Sequence, residues 1–175
     1  MFDLVVACES HRGIGRNNSL PWPRLPRDVQ FFRDLTIKTT DPGKRNTVVM
    51  GRKTWQSIPP KFRPLPKRLN IVLSRNSTLP VPEGVLLANN LDQALSFFVA
   101  DDKLENCFII GGANLYEQAI IHKDCDLLYL TDIHQPFECD SFFPAFDHLF
   151  DLIAQSENHQ EGGIDYCFKT YKHRA

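Results

Sequence analysis

The sequence predicts an α/β fold: a mostly parallel central sheet with an antiparallel C-terminal edge and helices on both faces. Three observations lead there. Short apolar runs of strand length (DLVVAC, NTVVM, LNIVL, CFII, LLYLTDI) alternate with helix-length stretches over most of the chain, the pattern of strand–helix–strand units. Glycines follow two of these runs directly, Gly51 and Gly111-Gly112, where such units turn from strand to helix. Near the end, Phe150–Ala154 and Tyr166–Tyr171 flank EGGID, which reads as an antiparallel pair and its turn.

Taken in order, residues 3–8 form a strand buried on both faces. ESHRGIGRNNSLPWP follows as a long loop, with Gly13 and Gly15 for positive φ and Asn17-Asn18-Ser19 for turn chemistry. Long ordered loops of this kind are often functional. Trp22, between two prolines, is expected as a packing anchor. Residues 26–39 form the first helix, with Pro26 in its first turn. Leu25, Asp28, Phe32 and Leu35 share one stripe of it. A lone acid on an apolar stripe requires a partner, because burying a carboxylate costs several kcal/mol, roughly, when it is unpaired.

Residues 46–50 form the second strand, and Gly51-Arg52-Lys53-Thr54 opens a short helix stopped by Pro59-Pro60. A glycine for close approach, free helix N–H groups and two cations make a phosphate site one reading and a charged surface turn the other. Residues 69–73 form a strand ending at Ser74-Arg75, where α/β sheets bind ligands. Arg68 stands at its other end, with a fork suited to carboxylate or phosphate. Residues 85–87 are a short strand and 91–100 a helix. Residues 107–110 are a strand entering the second glycine junction and its helix, which carries Leu115 and Tyr116. Residues 127–133 follow, with Thr131 near their end. No G-x-G-x-x-G is present, which disfavours an ordinary Rossmann domain.

Composition bounds the function. The 175 residues suit one domain over 1–175. A net charge of -1 without blocks of like charge argues against nucleic-acid or membrane-surface binding by bulk electrostatics. No apolar run approaches the roughly 20 residues of a membrane span, and the N-terminus lacks a signal pattern. The five cysteines include no C-x-x-C pair and the six histidines lack ligand spacing, so reduced thiols in a cytoplasmic protein and no metal are expected.

The ordered set VVA, GIG, LPWP with an acid six residues beyond Trp22, MGRKTWQSIP, RPLPKR, LSR, IIGGANLY, and YLTDI followed by FFP resembles dihydrofolate reductase of the animal type, over nearly the whole chain. The resemblance implies hydride transfer from NADPH to C6 of 7,8-dihydrofolate with protonation at N5, yielding tetrahydrofolate for one-carbon metabolism. It also implies a cytoplasmic monomer that binds antifolate inhibitors.

On that resemblance, Asp28 pairs with the 2-amino group and N3 of the pterin, Thr131 hydrogen-bonds Asp28, and Leu20 and Trp22 belong to a lid over residues 11–22. Val5, Val6, Ala7, Phe32, Ile110 and Tyr116 wall the pterin slot. Arg33, Ser57, Ile58, Pro59 and Leu65 line the tail, and Arg68 clamps the glutamate α-carboxylate. Arg52, Lys53, Ser74 and Arg75, with Gly51, Thr54 and Leu73, hold the adenosine end of NADPH. Gly111, Gly112, Ala113, Asn114, Leu115 and Tyr116 serve the pyrophosphate, with the Gly111–Gly112 bond cis, and Ala7, Ile14, Gly15 and Ser19 the nicotinamide end.

The chain departs from the pattern at Asp28, usually Glu in animals, at Val29 and Phe62 near the tail, and at Asn89, where a basic residue is common. A pyrimidine reductase on the same fold, and a non-catalytic nucleotide- or RNA-binding protein, are the competing readings; neither needs Asp28, Trp22 and Arg68 together.

Overall fold

Strands and helices alternate as the apolar runs dictate. The computed structural model describes residues 1–174; Ala175, the last residue of the predicted domain, lies outside them. In chain order the elements are β1 (Phe2–Glu9), β2 (Gly13–Gly15), α1 (Pro26–Ile37), β3 (Arg45–Gly51), α2 (Arg52–Ser57), β4 (Arg68–Leu73), β5 (Leu86–Ala88) and α3 (Leu91–Ala100). They continue with β6 (Leu104–Ile109), α4 (Ala113–Ala119), β7 (Cys125–Ile133), β8 (Ser141–Phe142), β9 (Phe150–Gln155), β10 (His159–Glu161) and β11 (Ile164–His173).

The sheet runs β5-β4-β3-β6-β1-β7-β11, with β10 and β9 both pairing β11. Strands β5 to β7 are parallel. Strand β11 is antiparallel to β7, and β9 and β10 are antiparallel to β11. The predicted fold class therefore holds, antiparallel edge included.

Side chains alternate across the parallel strands, so each strand feeds two cores. On one face Val5, Val48, Met50, Val72 and Phe108 pack with Trp55 of α2 and with Phe32 and Leu35 of α1. On the other, Leu4, Val6, Val49, Ile71 and Ile109 meet Leu91 and Ala94 of α3 and Leu115 and Ala119 of α4. Leu4, Val49, Ile71 and Ile109 are fully buried, each worth about 1.5–3 kcal/mol against leaving it exposed. The middle of the sheet is thus a rigid platform; of the expected site residues, Gly51, Leu73 and Thr131 lie toward the carboxyl ends of β3, β4 and β7, while Arg68 opens β4. A third cluster joins Trp22 and Leu25 to Ile133, Ile164 and Tyr166 at the β7–β11 end.

Three local expectations change. Helix α1 stops at Ile37, two residues short of 39. Asn46 of β3 takes the helix's last carbonyls, donating from Nδ2 to Thr36 O at 3.1 Å and Lys38 O at 2.8 Å. Glu105 of β6 meanwhile accepts from the amides of Thr40 and Asp41 at 2.6 and 2.8 Å. These partners satisfy the orphan groups of the helix end from outside it. EGGID does not join β9 to β11: residues 156–158 intervene, and Gly162 and Gly163, both at positive φ, close the tight hairpin between β10 and β11. The loop after β1 contains β2, which pairs with β8, a pairing too short for apolar alternation to reveal.

Candidate active site

Asp28 sits in the first turn of α1 and points at the sheet, where Thr131 Oγ1 of β7 donates to its Oδ1 at 2.6 Å. Residues 25–35 place it there because Leu25 is buried and Phe32 and Leu35 pack on the sheet, which fixes the rotation of the helix. Asp28 is half-buried and has no ion-pair partner among the described residues. Burial pushes its carboxyl above the ordinary value, the Thr131 hydroxyl opposes this, and the Glu161 carboxylate adds to it. The site holds an acid whose only direct protein partner among the described residues is one hydroxyl, so several lone-pair positions remain for a donor-rich ligand.

The strands sort the predicted slot residues by face. Val5 turns to the α1 side with Phe32, Ile58, Leu65 and Ile110, and Ala7 lies on that side with Trp22 and Phe168. Val6 points the other way, into the core with Leu115 and Tyr116, so only its backbone faces the site. The Tyr116 hydroxyl donates to Val5 O at 2.6 Å; buried in that bond, Tyr116 supports β1. Phe31, which the sequence reading passed over, stacks on Phe168 of β11 at 4.1 Å between ring centroids. Val29, Phe62 and Leu20 are exposed apolar side chains, at 41%, 56% and 57%. Ser57 and Pro59 are exposed as well.

Arg68 is the second anomaly. It is 7% exposed. Its Nη1 donates to Thr36 Oγ1 at 2.7 Å and its Nε to Pro66 O at 3.0 Å, and its guanidinium carbon lies 6.0 Å from the Phe32 ring centroid. No carboxylate pairs with it among the described residues. Burial, with the charge of exposed Arg33 behind it, pushes its pKa down to about 10. The helix stripe that carries Asp28 thus runs toward a buried cation in want of an anion.

The two glycine junctions meet. Strands β3 and β6 are neighbours, and Gly51 N donates to Gly111 O at 2.8 Å. The Gly111–Gly112 bond is cis, as expected, and Gly111 has φ 116°. A Cβ on Gly112 would lie 3.3 Å from Thr54 Oγ1, so the cleft is narrow enough that a side chain there crowds α2. Arg52, Lys53 and Arg75 are exposed around the ends of β3 and β4, and Ser74 is buried, its Oγ accepting from Asn76 N at 3.0 Å. Neither Lys53 nor Arg75 has an ion-pair partner among the described residues. Ala113 and Asn114 open α4 beside the cis bond, while Leu115 turns into the core. Leu73 and Ile14 are half-buried against the main core. These features fit a ligand with two separated anionic groups.

The segment after β1, expected to serve as a lid, is strapped down at several points. Glu9, 2% exposed, accepts from His11 N at 3.0 Å, Gly13 N at 2.7 Å and Phe137 N at 3.4 Å. It is a deeply buried acid beside the site, and in the sequence it shows only as a glutamate at a strand end. Gly13 is obligatory, since a Cβ would lie 2.7 Å from Glu9 Oε1 and 2.7 Å from Cys139 Cβ. Beyond Gly15, Asn17 and Asn18 at φ 50° and 58° close a tight turn bridging Arg16 and Ser19. Arg16 pairs with Glu138, and Asp140 Oδ2 accepts from Asn17 N at 2.8 Å. Trp22 anchors the end of the lid, 5% exposed and edge-on to Phe137 at 6.0 Å, with no hydrogen-bond partner for its Nε1 among the described residues.

All five cysteines are free, four of them buried. Asp132 of β7, His134 just beyond it and Cys167 of β11 converge within 4.8 Å, a grouping that residue spacing did not suggest. Lys169 Nζ already neutralises Asp132 there, at 2.6 Å.

Comparison with known proteins places the chain in one family. The dihydrofolate reductase family model matches residues 1–173. The chain is 40% identical to a dihydrofolate reductase of Heliothis virescens, covering 97% of this chain and 96% of that one. It is 41% identical to one of Drosophila melanogaster, covering 96% and 95%. A bifunctional dihydrofolate reductase-thymidylate synthase of Daucus carota is 42% identical, with the match covering 97% of this chain and 33% of that longer protein.

Proposed function

The chain belongs to the dihydrofolate reductase family, and on that premise we propose that Asp28, Arg68 and the paired glycine junctions carry its reduction of 7,8-dihydrofolate to 5,6,7,8-tetrahydrofolate, with NADPH as cofactor. The observation that carries the assignment is the carboxylate of Asp28, half-buried and held, among the described residues, by Thr131 alone. A pterin offers an amidine-like edge, the 2-amino group and N3, whose donors match such an acceptor. Arg68 supplies the opposite anchor for the glutamate α-carboxylate, and Val5, Phe32, Ile58 and Leu65 give the apolar wall between them.

Lys53, Ser74 and Arg75 would hold the 2′-phosphate, selecting NADPH over NADH, and Gly111-Gly112 with Ala113 and Asn114 would receive the pyrophosphate. NADPH supplies a hydride to the substrate's C6 when it is bound. The chain's own residues orient the substrate and exclude water. The lid, anchored by Glu9 and Trp22, covers the reacting face, since hydride transfer needs close, oriented rings and little water. Ionised Asp28 raises the basicity of N5 through the ring, and a water delivers the proton there, because Asp28 faces the pyrimidine edge. The rate therefore falls as pH rises and N5 is harder to protonate.

The test is NADPH oxidation, followed by its near-ultraviolet absorbance. Mixed with dihydrofolate at about pH 7, Asp28→Asn is expected to lose most turnover and to recover part of it toward acid pH, where the substrate arrives protonated. Full activity of Asp28→Asn at neutral pH would remove Asp28 from the mechanism.

A further inference from the structure

We propose that Glu161, on the C-terminal hairpin, is a positioning residue of the active site: it caps the first turn of α1 and sets the electrostatic environment in which Asp28 works. The inference rests on Asp28 being the site carboxylate. The N-cap residue of α1 is Leu25, which offers no side-chain acceptor, so the amides of the first turn lack the usual Ser, Thr or Asp partner. Glu161 supplies it from 134 residues away, accepting from Arg27 N with Oε1 and Oε2 at 3.3 and 3.2 Å. Its Oε2 also accepts from the buried Tyr166 hydroxyl at 2.6 Å. Tyr166 lies in β11, beside Ile133 of β7, two residues from Thr131. The hairpin carboxylate thus ties the turn that carries Asp28 to the strand pair that carries its hydroxyl partner.

A carboxylate at a helix N-terminus stabilises that end. Placed next to a second carboxylate, it also disfavours the ionised form of its neighbour. The charges around the pair come from each packed element: Arg27 and Asp28 of α1, His159 of β10 and Tyr166 of β11, while β7 presents the non-titrating Thr131; Asp165 alternates to the other face of β11, with Gln160. Arg27 Nη1 donates to His159 Nδ1 at 2.8 Å, so the guanidinium beside the capped amide is engaged with β10. Burial, then the bond to Glu161, push the Tyr166 hydroxyl above its ordinary value, so it remains a donor across the working pH range. Negative charge at Glu161 raises the proton affinity of the pterin N5, as ionised Asp28 does, and so extends the active range toward higher pH.

The experiment is the pH profile of kcat at saturating dihydrofolate and NADPH in Glu161→Gln, Glu161→Asp and wild type. Glutamine keeps the acceptor and loses the charge. Its alkaline midpoint is expected to move down by about half a pH unit, leaving the rate about three-fold lower above the midpoint and unchanged below it. Aspartate keeps the charge and is expected to restore the wild-type midpoint. The shift should persist in a His159→Gln background, which removes the histidine's own titration. Should Glu161→Gln fold poorly, salt serves in its place: raised ionic strength screens the repulsion and is expected to move the wild-type midpoint in the same direction. Identical midpoints in wild type and Glu161→Gln, equal shifts in the Gln and Asp variants, or a salt-independent wild-type midpoint would overturn the role. Loss of the Asp28 assignment itself would appear separately, as full activity in Asp28→Asn.

Discussion

Replacing Arg68 with methionine, similar in reach and uncharged, isolates the anion-binding half of the site. Arg68 has five N–H donors, of which Nε and one on Nη1 are engaged by Pro66 O and Thr36 Oγ1. The rest face no protein carboxylate among the described residues. Burial and Arg33 lower its pKa from 12.5 to about 10, so the protein leaves the cation undercompensated. Removing one partner of a buried, hydrogen-bonded charge pair costs about 2–5 kcal/mol, and about 3 kcal/mol within that range is about a hundred-fold in affinity. Arg68→Met is therefore expected to raise KM for dihydrofolate about a hundred-fold, with little change in kcat, because Arg68 lies far along the substrate from the reacting carbon. The assay runs in parallel on a dihydropterin lacking the aminobenzoyl-glutamate tail, for which wild type and variant should agree within about two-fold. An equal loss on both substrates would mean that the variant distorts the pocket. An unchanged KM for dihydrofolate would mean that the buried cation serves the fold alone.

Other outcomes follow from the same geometry. Thr131→Val removes the 2.6 Å donor to Asp28, a bond to a charged group worth about 1.5–3 kcal/mol. Turnover at neutral pH should fall about ten-fold or more, and the affinity of Asp28 for its proton should rise; an unchanged pH profile would contradict this. Arg75→Gln should raise KM for NADPH about ten-fold and leave that for NADH unaltered, whereas equal effects on both would argue against a 2′-phosphate contact. Asp3, which accepts from Leu127 N at 3.1 Å, has its carboxyl raised by burial from 3.8 to about 6. Because the folded pKa exceeds the unfolded one, the native state binds the proton more tightly and loses stability as pH climbs from about 4 to about 6. Asp3→Asn keeps the acceptor, so in denaturant melts it should gain on wild type through that window, by about 1–3 kcal/mol above it. A constant difference across pH would refute the linkage.

Much of the architecture was legible because strand and helix here are written in local periodicity. The parallel core strands are near-continuous apolar runs, and both glycine junctions stand where strands end. Asp28 announced itself as an acid on an apolar stripe. The roles of Arg68 and of the glycine junctions came from resemblance, since a cation or a glycine pair in isolation fits a surface turn equally well. Face assignment was less secure: Val5 and Val6 are adjacent in sequence, yet strand alternation sends one to the site and the other to the opposite core. Glu9 and Phe31 were passed over, because a buried strand-end acid and an extra aromatic carry no periodic signature.

Local sequence suffices to say which segments are strands and helices and which stretch carries the anomalous acid. These depend on neighbours within a few residues, where hydrophobic period, proline and glycine act directly. Tertiary structure alone decided what meets that acid. Thr131 is 103 residues from Asp28 and Glu161 134 residues from Arg27. Asn46 ends α1 from the next strand, and Glu9 holds the amide of Phe137 128 residues away. Each is a polar group that could pair with many others in an extended chain. Only the sheet order, set by burial of apolar faces on both sides, brings one particular donor to one particular acceptor.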